Sequence, residues 1–314
     1  MLYPEFNDLV KLKSLKSRMN RTSNRLVQSA HSGGHHSAFR GQGLEFDAVR
    51  EYVPGDDIRN IDWKVTARTG APHLKLFKEE RERSTIICVD MNTGMRFGTR
   101  KTFKSVQAAQ IAALLGWQSL AHHDNVSTCL FGDVSDGIQF HSSKRSRKSF
   151  CTMLKTLSEP FSDRIEVSLT QALEAICKRA QTGSVIYIVS DFLHFDSDSS
   201  LQTYADDHIG LETILGRLSK KCDVVFISVS DQADQNLCPV GVLGFCSNET
   251  EKHYVDTDNI TGREKYAAQW VDNRAQLRAL ATKFKTPLVE LTTESEIRKD
   301  LILGLKSVSK RKKR

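Results

Sequence analysis

The sequence predicts a doubly wound α/β fold, a mostly parallel sheet with helices on both faces, plus an N-terminal module. Three observations predict it. From Ser84 onward, strand-like apolar runs alternate with helical periods, which is the pattern of βα units and a parallel sheet. Two of those runs, IICVD ending at Asp90 and VIYIVSD ending at Asp191, are too continuously apolar to be half-exposed, so both sheet faces are covered. The segment Lys101–His122 is helical and apolar on most sides through Phe103, Val106, Ala109, Ile111, Leu114, Leu115 and Trp117, as suits a helix against the centre of a sheet.

The elements follow in order. Residues 7–28 read as a basic helix with Asn7 or Asp8 as N-cap, and 31–43 as a Gly/His/Ser loop. The stretch 44–83 is rich in turns and charge. Thr85–Asp90 is a buried strand, Asn125–Gly132 the next strand, and Gly137–His141 a short edge strand. Phe150, Met153, Leu154 and Leu157 share one helix face, and so do Leu169, Ala172, Leu173 and Ile176. Ser184–Phe192 and Asp223–Asp231 are strands flanking a helix at Leu211–Lys221, and 232–258 is loop with short β pieces. Thr261 and Glu264 form a capping box that opens a helix to about Lys285. Pro287–Leu291 is the last strand, and Thr293 with Glu296 is a capping box for a final helix. The expected division is 1–83 as N-terminal module, 84–305 as the α/β domain and 306–314 as a basic disordered tail.

Composition excludes several classes. The 314 residues are 39% apolar and 26% charged, ordinary for a globular protein that builds a core without staples. Seven cysteines are scattered with no CxxC pair, as suits a reducing, cytoplasmic compartment. No run reaches the ~18 apolar residues of a membrane span, and MLYPEFNDLVKLK lacks a signal-peptide core. Of the net charge of +7, residues 1–40 carry +5 and 306–314 carry +6, leaving −4 for the body. The basic balance therefore belongs to the two ends.

Two places concentrate chemistry. Asp90 and Asp191 end apolar strands and so share one rim of the sheet, where open α/β sheets bind ligands. The segment Gly41–Arg68, GQGLEFDAVREYVPGDDIRNIDWKVTAR, gathers Asp56, Asp57 and Asp62 with Arg50, Arg59 and Arg68 around Tyr52, Pro54 and Trp63. Bidentate Arg–Asp pairing suits that composition, with Pro54-Gly55 as a turn and Trp63 as a core or interface anchor. His31, His35 and His36 lack a spaced ligand set for a metal, and Lys144–Lys148 reads as a solvated helix start. There is no G-x-x-x-x-G-K-[ST], G-x-S-x-G, H-E-x-x-H or strand-borne G-x-G-x-x-G, so the chain reads as non-enzymatic.

The runs SGGHHSAFRGQGLEFDAVREYVPGDDIRNIDWKVTAR, KLFKEERE and VDMNTGMRFG, with weaker echoes at DQADQNLCPVG and HYVDTDN, resemble the bacterial and archaeal family called domain of unknown function 58. The resemblance covers nearly the whole chain. It implies a von Willebrand factor A-like domain over 84–305, a separate MoxR-type AAA+ ATPase as partner, and a client protein that the pair remodels or matures. It also implies a metal-ion-dependent adhesion site of the pattern Asp-x-Ser-x-Ser, then a Thr, then an Asp. Here Asp90 stands at the first position, Asn92 and Gly94 replace the serines, Val167 stands at the threonine, and Asp191 remains. Mg²⁺ wants six oxygens, and Asn92 offers at most an amide oxygen. The resemblance thus implies a degenerate site at Asp90, Asn92 and Asp191, with weak or absent Mg²⁺ binding.

The leading functional expectation is a cytoplasmic protein-interaction module. A second is nucleic-acid or anionic-lipid binding through the basic termini, which added salt would weaken steeply. A third is a metal-dependent hydrolase using Asp56, Asp57 and Asp62.

Overall fold

The computed structural model describes residues 3–14, 44–79, 84–134, 136–143, 146–159, 166–193, 210–246 and 252–311. The histidine loop, Lys144-Arg145 and the last three residues of the tail lie outside them. The chain divides into two compact units, Met1–His31 with Arg83–Arg314, and Ser32–Glu82.

The larger unit is built on six strands: β3 (Ser84–Met91), β4 (Asn125–Gly132), β5 (Ile138–Ser143), β6 (Val185–Ser190), β7 (Asp223–Ser230) and β10 (Leu288–Thr292). Their order is β10-β7-β6-β3-β4-β5, parallel throughout except for the antiparallel edge strand β5. The chain builds outward from β3 in both directions, so the switch point lies between β3 and β6, the strands that deliver Asp90 and Asp191.

Alternation along β3 splits the core in two. Ile87, Val89 and Met91 face α3 (Lys104–Ala121), α4 (Arg147–Thr156) and α9 (Ile297–Arg311). Ile86 and Cys88 face α5 (Leu169–Arg179), α6 (Leu211–Lys221) and α8 (Ile260–Lys283). Both faces of the sheet are therefore covered, as the continuous apolar strands require. Helix α3 is buried from Lys104 to Ser119 except at half-buried Gln110. Gly116 is what lets it approach α4, because a Cβ there would lie 2.1 Å from Phe150 Cζ.

Several boundaries differ from the sequence reading. The short helix α1 (Phe6–Lys11) belongs to the larger unit rather than to the N-terminal module. Leu9 is buried in the core, and its carbonyl accepts from Trp117 Nε1 at 3.0 Å. Neither Asn7 nor Asp8 caps it, since Glu5 holds the N-cap position without a side-chain bond. Helix α9 runs to Arg311, past the expected end at 305. Lysine and arginine are good helix formers, so the basic run can continue the helix. The cap of α8 is Asn259, whose side chain accepts from Gly262 N, rather than Thr261. Thr293 does not cap α9: its hydroxyl donates to Asp231 Oδ2 at 2.6 Å.

Between β7 and α8 lie α7 (Gln232–Gln235) and the hairpin of β8 (Val242–Cys246) and β9 (Lys252–Asp256). The smaller unit is a hairpin of β1 (Leu44–Glu51) and β2 (His73–Glu79), with a bulge between Phe46 and Ala48. The connector crosses one end of that hairpin through a 3-10 turn at Ile58–Asn60 and helix α2 (Trp63–Thr69). No helix among the described residues is long and apolar enough to cross a membrane.

Candidate functional site

The rim at the carboxyl ends of β3 and β6 brings Asp90, Asn92 and Asp191 together. Asp90 is buried; its Oδ1 accepts from Asn92 N at 2.9 Å and its Oδ2 from Ser190 Oγ at 2.6 Å. Burial, reinforced by the charge of Asp191, pushes the Asp90 carboxyl up to about 7. The Asn92 amide is spent on backbone: Nδ2 donates to Val167 O at 2.9 Å and Oδ1 accepts from Val167 N at 3.0 Å. It therefore clamps the β3 rim loop to the entry of α5 instead of turning its oxygen to a ligand. Gly132 makes room for this clamp. Its φ is +107°, and a Cβ there would meet Asn92 Oδ1 at 2.7 Å.

Asp191 Oδ1 accepts from Leu193 N at 3.1 Å, while Oδ2 accepts from Lys104 Nζ at 2.8 Å. Lys104 is only 1% exposed and also donates to Asp234 Oδ1 at 3.2 Å. Burial alone pulls the Lys104 pKa down, but the charges and hydrogen bonds of Asp191 and Asp234 outweigh it, leaving the value above that of an ordinary lysine. Asp234 is raised, chiefly by burial, with Lys104 opposing. Arg274 of α8 is also buried; it donates to Ser228 Oγ at 2.5 Å and to the Asp191 carbonyl. Two buried cations, Lys104 and Arg274, therefore stand against the Asp191 and Asp234 side of this carboxylate cluster.

Lys104, Asp234 and Arg274 were not among the residues singled out from the sequence. The signal was there. In α3, Lys104 shares its helical stripe with Ala108, Ile111 and Leu115, and in α8 Arg274 shares one with Leu277 and Ala281, all buried. A cation on such a stripe must find a buried partner.

The connector in the smaller unit departs from the expected Arg–Asp pairing. Among the described residues only Arg50 pairs with an aspartate of the segment, Asp56 at 2.6 Å; Asp56 also accepts from Val53 N and closes the Pro54-Gly55 turn. Asp57 accepts from Arg59 N at the 3-10 turn. Asp62 caps α2 by accepting from Lys64 N and Val65 N, and lies 3.7 Å from Lys75 Nζ. The three carboxylates are thus spent on local turns. Because Asp62 acts as a cap, Asp62→Ala is expected to cost about 1 kcal/mol, read by denaturant melting. A loss above about 3 kcal/mol would instead mean a buried uncompensated cation.

Trp63 is not core: it is 71% exposed, with Ile58 at 65% and Val53 at 55%. The Arg59, Lys64 and Arg68 side chains have no carboxylate partner among the described residues.

Comparison with known proteins places the chain among relatives without an assigned role. It is 24% identical to uncharacterized proteins of Mycobacterium tuberculosis (strain H37Rv) and Mycobacterium bovis, over 93% of this chain and 88% of theirs. Among solved structures it is similar to the conserved hypothetical protein BatB of Bacteroides thetaiotaomicron, at 12% identity and TM-score 0.41, covering 73% of this chain and 99% of that one. It is also similar to the pilus adhesin SpaC of Lactobacillus rhamnosus GG, at 12% identity and TM-score 0.35, covering 66% of this chain and 32% of that one. The description Protein of unknown function DUF58 matches residues 48–276, and the chain belongs to that family.

Proposed function

We propose that this chain is a non-enzymatic, cytoplasmic protein-interaction module. In this reading the larger unit is a von Willebrand factor A-like domain with a degenerate metal-ion-dependent adhesion site, and the partner is a MoxR-type AAA+ ATPase acting on a client protein. The observation that carries it is the connector 52–72. It presents Val53, Ile58 and Trp63 to solvent at one end of a hairpin, together with three cations that have no carboxylate partner among the described residues, while every carboxylate of the segment is engaged locally. Exposed tryptophan beside arginine is the composition of an interface anchor. The occupant that fits is a protein face with an apolar pocket rimmed by carboxylates. Ile58 and Val53 are aliphatic and offer no stacking surface for bases, which favours protein over nucleic acid.

The test uses the full chain and the MoxR-type AAA+ ATPase of the same cell, with binding measured with and without ATP. Trp63→Ala with Ile58→Ala is expected to weaken binding by at least about tenfold, and Arg59→Glu with Arg68→Glu likewise, with melting temperatures unchanged. No binding in either nucleotide state, or equal binding by wild type and both double variants, would sink the proposal. Steeply salt-sensitive binding to single-stranded DNA, lost in the same variants, would point to the nucleic-acid alternative.

A further inference from the structure

A strand-end carboxylate rim of this kind is a place for a divalent cation, and the donors here do not suit one. A hard divalent ion needs convergent oxygens. Gly94 and Val167 supply none from their side chains, and both polar atoms of the Asn92 amide are held by the Val167 backbone. The oxygen of Asp191 that lies nearest Gly94, Oδ2, at 3.4 Å from an added Cβ, is the one that Lys104 Nζ already holds at 2.8 Å.

We infer that the ammonium of Lys104 is the resident cation of this rim and takes the electrostatic place of a divalent metal, making the site independent of metal ions. Four features carry this. Lys104 is buried and bridges Asp191, at the end of β6, and Asp234, in α7, as a bound ion would. It is the first residue of α3, so the positive end of an 18-residue helix adds to its field. Arg274 supplies a second buried cation against the Asp191 carbonyl. The surrounding oxygens already have donors, so a divalent ion arriving beside Lys104 would meet like charge and would have to strip those hydrogen bonds. The inference concerns the α/β unit and stands whether or not the connector binds an ATPase.

The experiment is a Mn²⁺ titration of the full chain, read by electron paramagnetic resonance of free Mn²⁺ and by thermal melting. Wild type is expected to show no saturable Mn²⁺ binding up to millimolar concentration and no change in melting with chelator. Lys104→Ser removes the ammonium and leaves a hydroxyl between the carboxylates. It is expected to gain Mn²⁺ affinity at least about tenfold over wild type, with melting that rises with Mn²⁺. Lys104→Ser with Asp234→Asn leaves fewer stranded charges and guards against failure to fold; it should gain the same response. Lys104→Arg keeps a cation and should show none. Saturable Mn²⁺ binding in wild type that Asp191→Asn abolishes would overturn the inference. So would the absence of any Mn²⁺ response in both serine variants, folded or not.

Discussion

Lys104→Met is expected to lower the unfolding free energy by about 3–5 kcal/mol. The substitution nearly conserves volume and stays unbranched, so packing loss is small. What it removes is the ammonium that Asp191 and Asp234 share at 2.8 and 3.2 Å. Both carboxylates are buried, and each would either remain charged without its cation or take up a proton. Adding Asp191→Asn and Asp234→Asn to Lys104→Met should recover most of the loss, because removing all members of a buried ion cluster costs less than removing one. Urea titration of the three proteins checks this. A Lys104→Met loss below about 1 kcal/mol, the range of exposed ion pairs, would show that the cluster is solvated.

Asp90→Asn is expected to stabilise the protein at neutral and alkaline pH by an amount on the order of 2–4 kcal/mol. The folded-state pKa of Asp90 is raised from 3.8 to about 7, first by burial and then by Asp191. A carboxyl raised in this way contributes stability that is fully present below its unfolded pKa and is lost as pH rises through the folded value. The Asp90 contribution should therefore be lost from about pH 4 to about pH 7 and level off above that. The Asp90→Asn advantage should grow across the same window. The amide can still accept from Asn92 N and can donate to Ser190 Oγ, so geometry is kept. Asp231 works in the opposite sense. Burial would raise it, but hydrogen bonds from Thr293 and Thr99 hold it below the usual range, so its contribution fades as pH falls. Comparing the variant with wild type at each pH isolates Asp90. An advantage that is the same at pH 4 and pH 8 would show that its carboxyl is not raised.

The strands and the helices that cover them were legible because continuous apolar runs and 3.6-residue periods report burial directly, and Leu211–Lys221 matches the observed helix end to end. Caps were less legible, because a hydroxyl near a helix start has other uses. Thr293 gives its proton to buried Asp231, and Asn259 reaches the α8 amides before Thr261. The rim carboxylates could be placed from the strand ends, but not their cation. Lys104 comes from a helix that reads as apolar, and only the topology brings it against Asp191 and Asp234, 87 and 130 residues along the chain. The composition of the charged connector suggests Arg–Asp pairing. Three carboxylates next to backbone amides find those donors first, since a cap orders fewer side-chain torsions than an ion pair.

The two tryptophans named above report different things. Trp117 is 3% exposed, edge-on to Phe150 with centroids 4.9 Å apart, and its indole holds the Leu9 carbonyl. Trp63 stands in solvent on the smaller unit. One emits from an apolar, rigid setting and the other from water. Replacing Trp270 and either of the pair by phenylalanine turns the chain into a single-tryptophan protein, in which unfolding of one unit can be watched by its own indole emission.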